Sequence, residues 1–446
     1  MLSIKDLIKR TYALNEIGHF LFYLGIFFLV SAPFISAIFL LFALVISFFL
    51  RRKNYFFDKW NYPFLVSGTL MLISSLFLII QNNKVLDPYN PKLSLIGLLN
   101  WLPFFICFWA FQIYLKTQES RKKCILFLLS GSIPVIITGL GQYFFNWYGP
   151  FEIFNGLIIW FQRPLNSDMG LTGLFSNQNY AASWLALTFP FTLYLLFSRK
   201  RKRVNLIFSS IFLFLYTSTM VLTFSRNSLL AIGITLAFFF KINKKSIFIF
   251  VFSLTLITIS IFNKENLFCL ITINNDNLIC NTFEKFSIYE LREIYFRFDD
   301  LKSALRLEIW SEALNYIDEK KFFGWGAGSF PYLLSLNKSL LISQHTHNLP
   351  LEIAVGYGIP ASILINITFY FLILKSLIKS KKFMLKQNKD YNLVDISWIV
   401  SSLIFVITHL FDVTYYDSRI SILCWVLFAG LKNIIQDSQK SENQLT

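Results

Sequence analysis

Residues 19–50 read HFLFYLGIFFLVSAPFISAIFLLFALVISFFL, a 32-residue run without a Lys, Arg, Asp or Glu. A helix crossing a hydrocarbon core of roughly 30 Å needs about 20 apolar residues, so a single helix over this run would be far too long. Two spans, near 17–32 and 34–50, joined by a hairpin at Ser31-Ala32-Pro33, accommodate it. Residues 17–50 decide the topology, because one span there instead of two would reverse the side of every later loop.

Outward from this stretch, the 446 residues are 55% hydrophobic and only 15% charged, and apolar runs recur between short basic clusters. Further spans are expected near 63–81, 94–115, 124–145, 180–197, 204–222, 227–241, 246–262, 349–374, 394–411 and 418–435. The fold class is all-α: a polytopic membrane protein with about 12 transmembrane helices and one large, partly helical periplasmic loop. Alternating ten-residue segments of the kind that build an outer-membrane barrel are absent. The first apolar run is too long for a cleaved signal peptide and lacks a small-residue cleavage site, so it is expected to remain as an anchor.

A formal net charge of +16 would suggest nucleic acid in a soluble protein. Here position outweighs the sum, and no nucleic-acid partner is expected. Of the 41 Lys and Arg, 27 fall on one side of the expected spans, in clusters such as Arg51-Arg52-Lys53, Arg199 to Arg203 and Lys375 to Lys389. The positive-inside rule then makes both termini cytoplasmic.

The domain organisation is read as transmembrane helices 1–9 over residues 1–262, with an external loop at 146–179. A large periplasmic loop follows over 263–347, then helices 10–12 and a cytoplasmic tail over 348–446. The large loop carries 11 acids against nine bases from Asn263 on, and structureless loops beyond about 15 residues are usually functional or carry elements of their own. Within it, Asp299 to Ile317 reads as an amphipathic helix with Leu301, Leu305, Ile309, Ala313 and Ile317 at four-residue steps. Gly324-Trp325-Gly326-Ala327-Gly328 ends it; with no strand before it and no Gly-Lys-Ser/Thr after it, this string reads as a tight turn back toward the membrane, not a nucleotide loop. Cys107, Cys124 and Cys424 read as small buried hydrophobes. Cys269 and Cys280 share the large loop, where a disulfide and two free thiols are equally open, and their spacing gives no sign of zinc.

Two of only four histidines lie in Gln344-His345-Thr346-His347-Asn348, at the boundary between the large loop and the span at 349–374. An imidazole there can accept a proton from an incoming hydroxyl at neutral pH, or can simply sit among lipid headgroups at a helix start. His345, farther out in the loop, is expected to be the more solvent-exposed. Arg226, in Thr223-Phe224-Ser225-Arg226-Asn227 between two apolar spans, can grip a phosphate with two parallel hydrogen bonds or snorkel to headgroups. Arg306 and Arg163 are also external. Several arginines converging on one site would suit a pyrophosphate leaving group and would leave no need for a metal or other cofactor. Surface ion pairing explains Arg306 equally well and Arg163 rather better.

Taken in order, these elements resemble the O-antigen ligase and O-antigen polymerase superfamily of bacterial envelope glycosyltransferases. His347-Asn348, nine residues, then Gly358 is similar to the ligase pattern, whose last position is here Ala361. Leu351-Glu352 and Gly356-Tyr357-Gly358-Ile359 look like the helix after that histidine. Arg306 with Ile309-Trp310 and then Phe323-Gly324-Trp325-Gly326 resembles the Arg, Trp and Gly-x-Gly order before it. Thr223-Phe224-Ser225-Arg226 and Gly173-Leu174-Phe175-Ser176-Asn177-Gln178-Asn179 match two further stretches.

The resemblance implies transfer of a glycan from an undecaprenyl-diphosphate carrier to an acceptor hydroxyl on the periplasmic face of the bacterial inner membrane. The acceptor is lipid A-core if the protein is an O-antigen ligase, and otherwise another glycan. It implies His347 as the catalytic base and Arg226 and Arg306 as donor-diphosphate ligands, with Arg163, His345, Asn348 and Glu352 in support. An O-antigen polymerase or a protein O-oligosaccharyltransferase of the same superfamily is the near alternative. A small-solute transporter is the distant one, disfavoured because transporters place polar groups mid-span and these lie at span ends.

Overall fold

The structure, a computed structural model, describes residues 4–51, 55–81, 89–165, 169–198, 203–240, 305–336, 343–384 and 389–443. The expected span at 246–262, residues 299–304 of the expected amphipathic helix, and Cys269 and Cys280 lie outside the described residues.

The long run at 19–50 does divide. Helix α1 covers Ile4–Phe28 and α2 covers Pro33–Leu50. Pro33 stands in the first turn of α2, where its missing N–H is no loss. The chain continues with α3 (Tyr62–Gln81), α4 (Lys92–Gly97), α5 (Leu102–Ala110) and α6 (Gln118–Phe145). Next come α7 (Gln178–Phe197), α8 (Arg203–Leu222) and α9 (Arg226–Phe240). After the large loop's described part, α10 (Leu305–Glu319) and α11 (Phe330–Leu336), the chain forms α12 (Leu349–Tyr357), α13 (Ile359–Met384), α14 (Lys389–Thr408) and α15 (Ser418–Asn443).

Among the described residues, eight helical stretches are long and apolar enough to cross a membrane, and two shorter apolar helices occupy Arg226–Phe239 and Leu393–Thr408. Two expectations need correction. The stretch at 94–115 is not one α-helix: Lys92–Gly97 and Leu102–Ala110 are linked and followed by 3₁₀ turns, with Pro103 opening α5. The run from Leu349 to Leu374 is broken into α12 and α13. The all-α expectation holds apart from one short described hairpin, β1 (Phe151–Ile153) paired antiparallel with β2 (Ile158–Trp160), inside the 146–179 loop.

The break between α12 and α13 is satisfied by the glycine string. Gly358 has φ +92°, which a helix cannot continue through. At the freed ends, Trp325 N–H donates to Val355 O at 2.7 Å, Gly326 N–H to Gly356 O at 2.9 Å, and Ile359 N–H to Lys321 O at 2.8 Å. A buried helix break would otherwise leave its carbonyls and amides without partners. The 324–328 turn therefore does more than return the chain; it caps an interrupted helix. Side chains at 324 and 358 would collide with Val355 O and Phe322 O, so both positions require the close approach that glycine allows.

The helices pack around an aromatic core in which Trp425 meets Phe64, Phe105 and Phe369, and Phe369 stacks on Phe428 at 4.1 Å. At the end of the bundle away from His347, buried Arg121 bridges Asp395 at 3.1 Å and Asp437 at 3.0 Å, and Lys432 holds Asp58 at 2.6 Å. Each buried cation there is paired with acid, as a low-dielectric interior demands. At the opposite end, α12 starts, α14 finishes and α15 starts, and the site forms where they meet.

Candidate functional site

Asn348 sets the local geometry. It caps α12, its side-chain oxygen accepting Leu351 N–H at 3.0 Å while its amide donates to Leu410 O at 3.0 Å. Leu349 N–H donates to His409 O at 2.8 Å, so the start of α12 is stitched to the segment after α14. Asn348 is thus a positioning residue.

Thr346 is buried and locked from three sides. Its N–H donates to the Glu352 carboxylate at 2.9 Å, its hydroxyl to Asn348 O at 2.8 Å, and its carbonyl accepts the Trp310 indole N–H from α10 at 3.0 Å. Glu352 is itself buried, 6% exposed, and serves the loop. Between these clamps His347 takes φ +52°, a left-handed conformation that costs a non-glycine residue roughly 1–3 kcal/mol and persists only where the surroundings over-determine it. The hydrogen bonds on both flanks supply that constraint.

The strained backbone delivers the ring to Asp412. His347 Nδ1 lies 3.2 Å from Asp412 Oδ1, which also accepts Val413 N–H at 2.9 Å. Burial works to raise the Asp412 pKa, but the hydrogen bond and charge of His347, then His345 and the Val413 amide, prevail and hold it below the usual carboxylate range. An ionised carboxylate is acceptor only, so His347 Nδ1 is the donor of this contact, and in a neutral ring Nε2 is then the acceptor. This is the arrangement of a general base oriented by an acid.

His345 departs from expectation. It is half-buried, like His347, with its ring edge-on to the His347 ring at 4.4 Å. Burial first, and the neighbouring His347 second, push its pKa down to about 4, with Arg306 contributing in the same direction. His345 is therefore neutral at pH 7, and the Arg306 charge reaches the site. His347 N–H points at His345 Nδ1 at 3.4 Å.

The structure thus brings His347, His345, Asn348 and Glu352 together, while Arg306, on α10, acts on His345 through its charge. Arg226 opens α9 at the same end of the bundle, after a turn in which Phe224 takes φ +50°. The 170–175 loop links that turn to the site: Leu171 N–H donates to Leu222 O, while Arg419 packs over the Phe175 ring at 3.8 Å. Arg163 is not brought in by its side chain, which is exposed; its carbonyl accepts from Gln142 at 2.6 Å.

Four groups were missed in the sequence. Asp412 holds His347; Asp417 and Arg419 form a partly buried ion pair; Tyr180 lies near enough to Asp412, Asp417 and Arg419 to feel their charges. The signal for the first three was present as the polar string Asp412 to Arg419 between two apolar spans. Its cation, Arg419, is as unusual for a short loop on that side as Arg226.

Donor atoms of His345, His347 and Asp412 all lie within 4.8 Å of one another, a set able to ligate a divalent metal of the zinc or iron type. A cation there would compete with the His347–Asp412 and His347–His345 contacts.

Fold and site define a helical integral membrane protein with a histidine–carboxylate pair at one end of the bundle. Residues 211–365 match the family described as O-Antigen ligase, roughly a third of the chain running from α8 into α13. This supports the O-antigen ligase superfamily of glycosyltransferase-like enzymes and bears out the resemblance read from the motifs. The matched stretch contains Arg226, Arg306, His345, His347, Asn348, Glu352 and Gly358, and leaves out Arg163 and Asp412. No curated protein matches the chain.

Proposed function

We propose that the protein transfers a glycan from undecaprenyl diphosphate to an acceptor hydroxyl on the periplasmic face of the inner membrane, as an O-antigen ligase acting on lipid A-core. The observation that carries this reading is the Asp412–His347 pair, in which the carboxylate holds Nδ1 at 3.2 Å.

In the transfer, the acceptor oxygen attacks the anomeric carbon as the bond from that carbon to the diphosphate oxygen breaks. The hydroxyl proton passes to His347 Nε2, and the imidazolium so formed is stabilised by Asp412. The electron pair of the broken bond leaves with undecaprenyl diphosphate, whose charge Arg306 and Arg226 balance; a guanidinium can hold two phosphate oxygens at once. His345, kept neutral, adds no competing positive charge beside the base. No metal is assigned a step. About 12 spans, both termini in the cytoplasm and the 263–347 loop in the periplasm complete this reading, supported by the cation bias and by the buried Arg121 and Lys432 clusters at the end away from His347.

Substituting His347→Ala in a strain lacking the native gene tests it: the variant inserts at normal levels yet yields no capped lipopolysaccharide. Normal laddering with that variant would overturn the proposal. Polymer retained on the lipid carrier in the deletion strain marks a ligase; single-repeat caps would mark a polymerase instead.

A further inference from the structure

A base oriented by an acid needs one imidazole, and this site holds two. In an extended chain the side chains of residues two apart share a face, with about 6.6 Å between their Cα atoms. Around the positive φ of His347, the His345 and His347 rings stand edge-on with only 4.4 Å between their centres. The loop is fixed on both sides of the pair. Ser343 donates its hydroxyl to His345 O at 2.6 Å, and Thr346, between the two histidines, donates its own to Asn348 O.

Asp412 completes a set of three. One ligand atom from each of His345, His347 and Asp412 lies within 4.8 Å of the other two, and His347 Nδ1 is already 3.2 Å from Asp412 Oδ1. A tetrahedral zinc ion, with bonds of roughly 2.0–2.2 Å, sets its ligand atoms about 3.3 Å apart. Rotation of one imidazole is enough to close the set. Asp412 is held by its own backbone, its N–H donating to Thr408 O at 3.2 Å. Among the described residues, both hydrogen bonds that its carboxylate accepts use Oδ1, which leaves Oδ2 for a cation. The His347 side chain is 29% exposed against 7% for Asp412, so the cluster opens on its imidazole side. Two imidazole nitrogens and one carboxylate oxygen suit zinc, copper or nickel, whereas magnesium and calcium favour sets made of oxygen.

We infer that His345, His347 and Asp412 form an inhibitory site for a zinc-type divalent ion, which takes His347 out of use as a base while it is bound. A neutral His347 ring with hydrogen on Nδ1 has its lone pair on Nε2. An ion on Nδ1 displaces that hydrogen to solvent, and Nε2 gains one in its place; an ion on Nε2 occupies the lone pair directly. Either way no lone pair remains for the proton of an incoming hydroxyl. The inference deepens the glycan-transfer reading by naming a regulator of its base, and rests on that reading for the inhibition but not for the binding.

The test uses the full chain without a polyhistidine tag, stripped with EDTA, dialysed and held in phosphatidylcholine nanodiscs. Calorimetric titration with ZnCl2 should show one saturable equivalent that MgCl2 does not displace. His345→Gln and Asp412→Asn each remove a ligand and should weaken zinc binding by at least about tenfold, and either serves if the other fails to fold. His19→Gln, on α1 against Tyr114, should bind zinc as the wild type does. In a reconstituted transfer assay, ZnCl2 should inhibit at the concentration that fills the site and EDTA should restore the rate. His345→Gln, scored against its own zinc-free rate, should need at least about tenfold more zinc for the same inhibition. No saturable zinc equivalent, displacement by magnesium, or unchanged affinity in both ligand variants would overturn the site. Bound zinc that leaves transfer unchanged or stimulates it, or equal inhibition of His345→Gln, would overturn the inhibitory role. Zinc binding by a chain that transfers no glycan even after stripping would overturn the proposed function and leave the site standing.

Discussion

His347 and Asp412 are 65 residues apart in the chain, and their side chains meet at 3.2 Å, Nδ1 to Oδ1. The contact joins the loop before α12 to the turn after α14. It gives the histidine a defined tautomer, and from that tautomer follows the direction in which a proton can move.

Asp412→Asn keeps an oxygen to accept Val413 N–H but removes the charge that stabilises the imidazolium. Turnover in a reconstituted transfer assay should drop by roughly 10²–10⁴-fold, the usual contribution of a positioned acid–base group. The donor KM should stay close to the wild-type value. A loss confined to KM would place Asp412 in substrate binding instead.

Arg226→Lys and Arg306→Lys preserve charge and lose the planar fork. If each arginine grips the diphosphate bidentately, the donor KM should rise by roughly 10–100-fold, the value of a hydrogen bond to a charged group. Acceptor KM is the internal control. Unchanged donor kinetics in both variants would remove them from the donor site.

The depressed pKa of His345 has a stability consequence. Its folded pKa is about 4 against 6.5 unfolded, so between those values the unfolded chain binds the extra proton. Its contribution is complete above pH 6.5 and is lost progressively as pH falls toward 4. Asp412, held below its usual range, keeps its contribution through this window and loses it only at lower pH. The melting temperature should decline from pH 6.5 to 4 with a shallower slope in His345→Gln; equal slopes would contradict the assigned burial.

Gly358→Ala places a Cβ 2.1 Å from Phe322 O at φ +92° and should cost more than about 1 kcal/mol, read as a lowered melting temperature. Gly233, in the interior of α9 with nothing within 4 Å of an added Cβ, is the control. There Gly→Ala should be neutral or stabilise by up to about 1 kcal/mol.

Chelation separates two uses of the same side chains. With His347 acting as a base on Asp412, prolonged treatment with EDTA should leave transfer unchanged. Activity lost on chelation and restored by a divalent ion would instead make His345, His347 and Asp412 its ligands.

Hydropathy alone determined a great deal. Apolar run lengths located seven of the eight long spans among the described residues and overlapped the eighth, which begins at Ile359, and the length limit on residues 19–50 forced the turn that the structure places just before Pro33. Both are local quantities, set by how many apolar residues cross a film of given thickness. The break in 349–374 was not visible in this way, because α12 and α13 are both apolar and the interruption depends on the backbone of Gly324–Gly326 reaching Val355 and Gly356.

For the site, the chain by itself marked His347 and Arg226, since titratable or cationic side chains at the ends of apolar spans stand out against their surroundings, and the order of motifs marked Arg306. It did not pair His347 with Asp412 or show that His345 packs against its neighbour's ring. Those facts belong to the tertiary structure, because a hydrogen bond between residues far apart in sequence exists only once packed helices have brought their ends together.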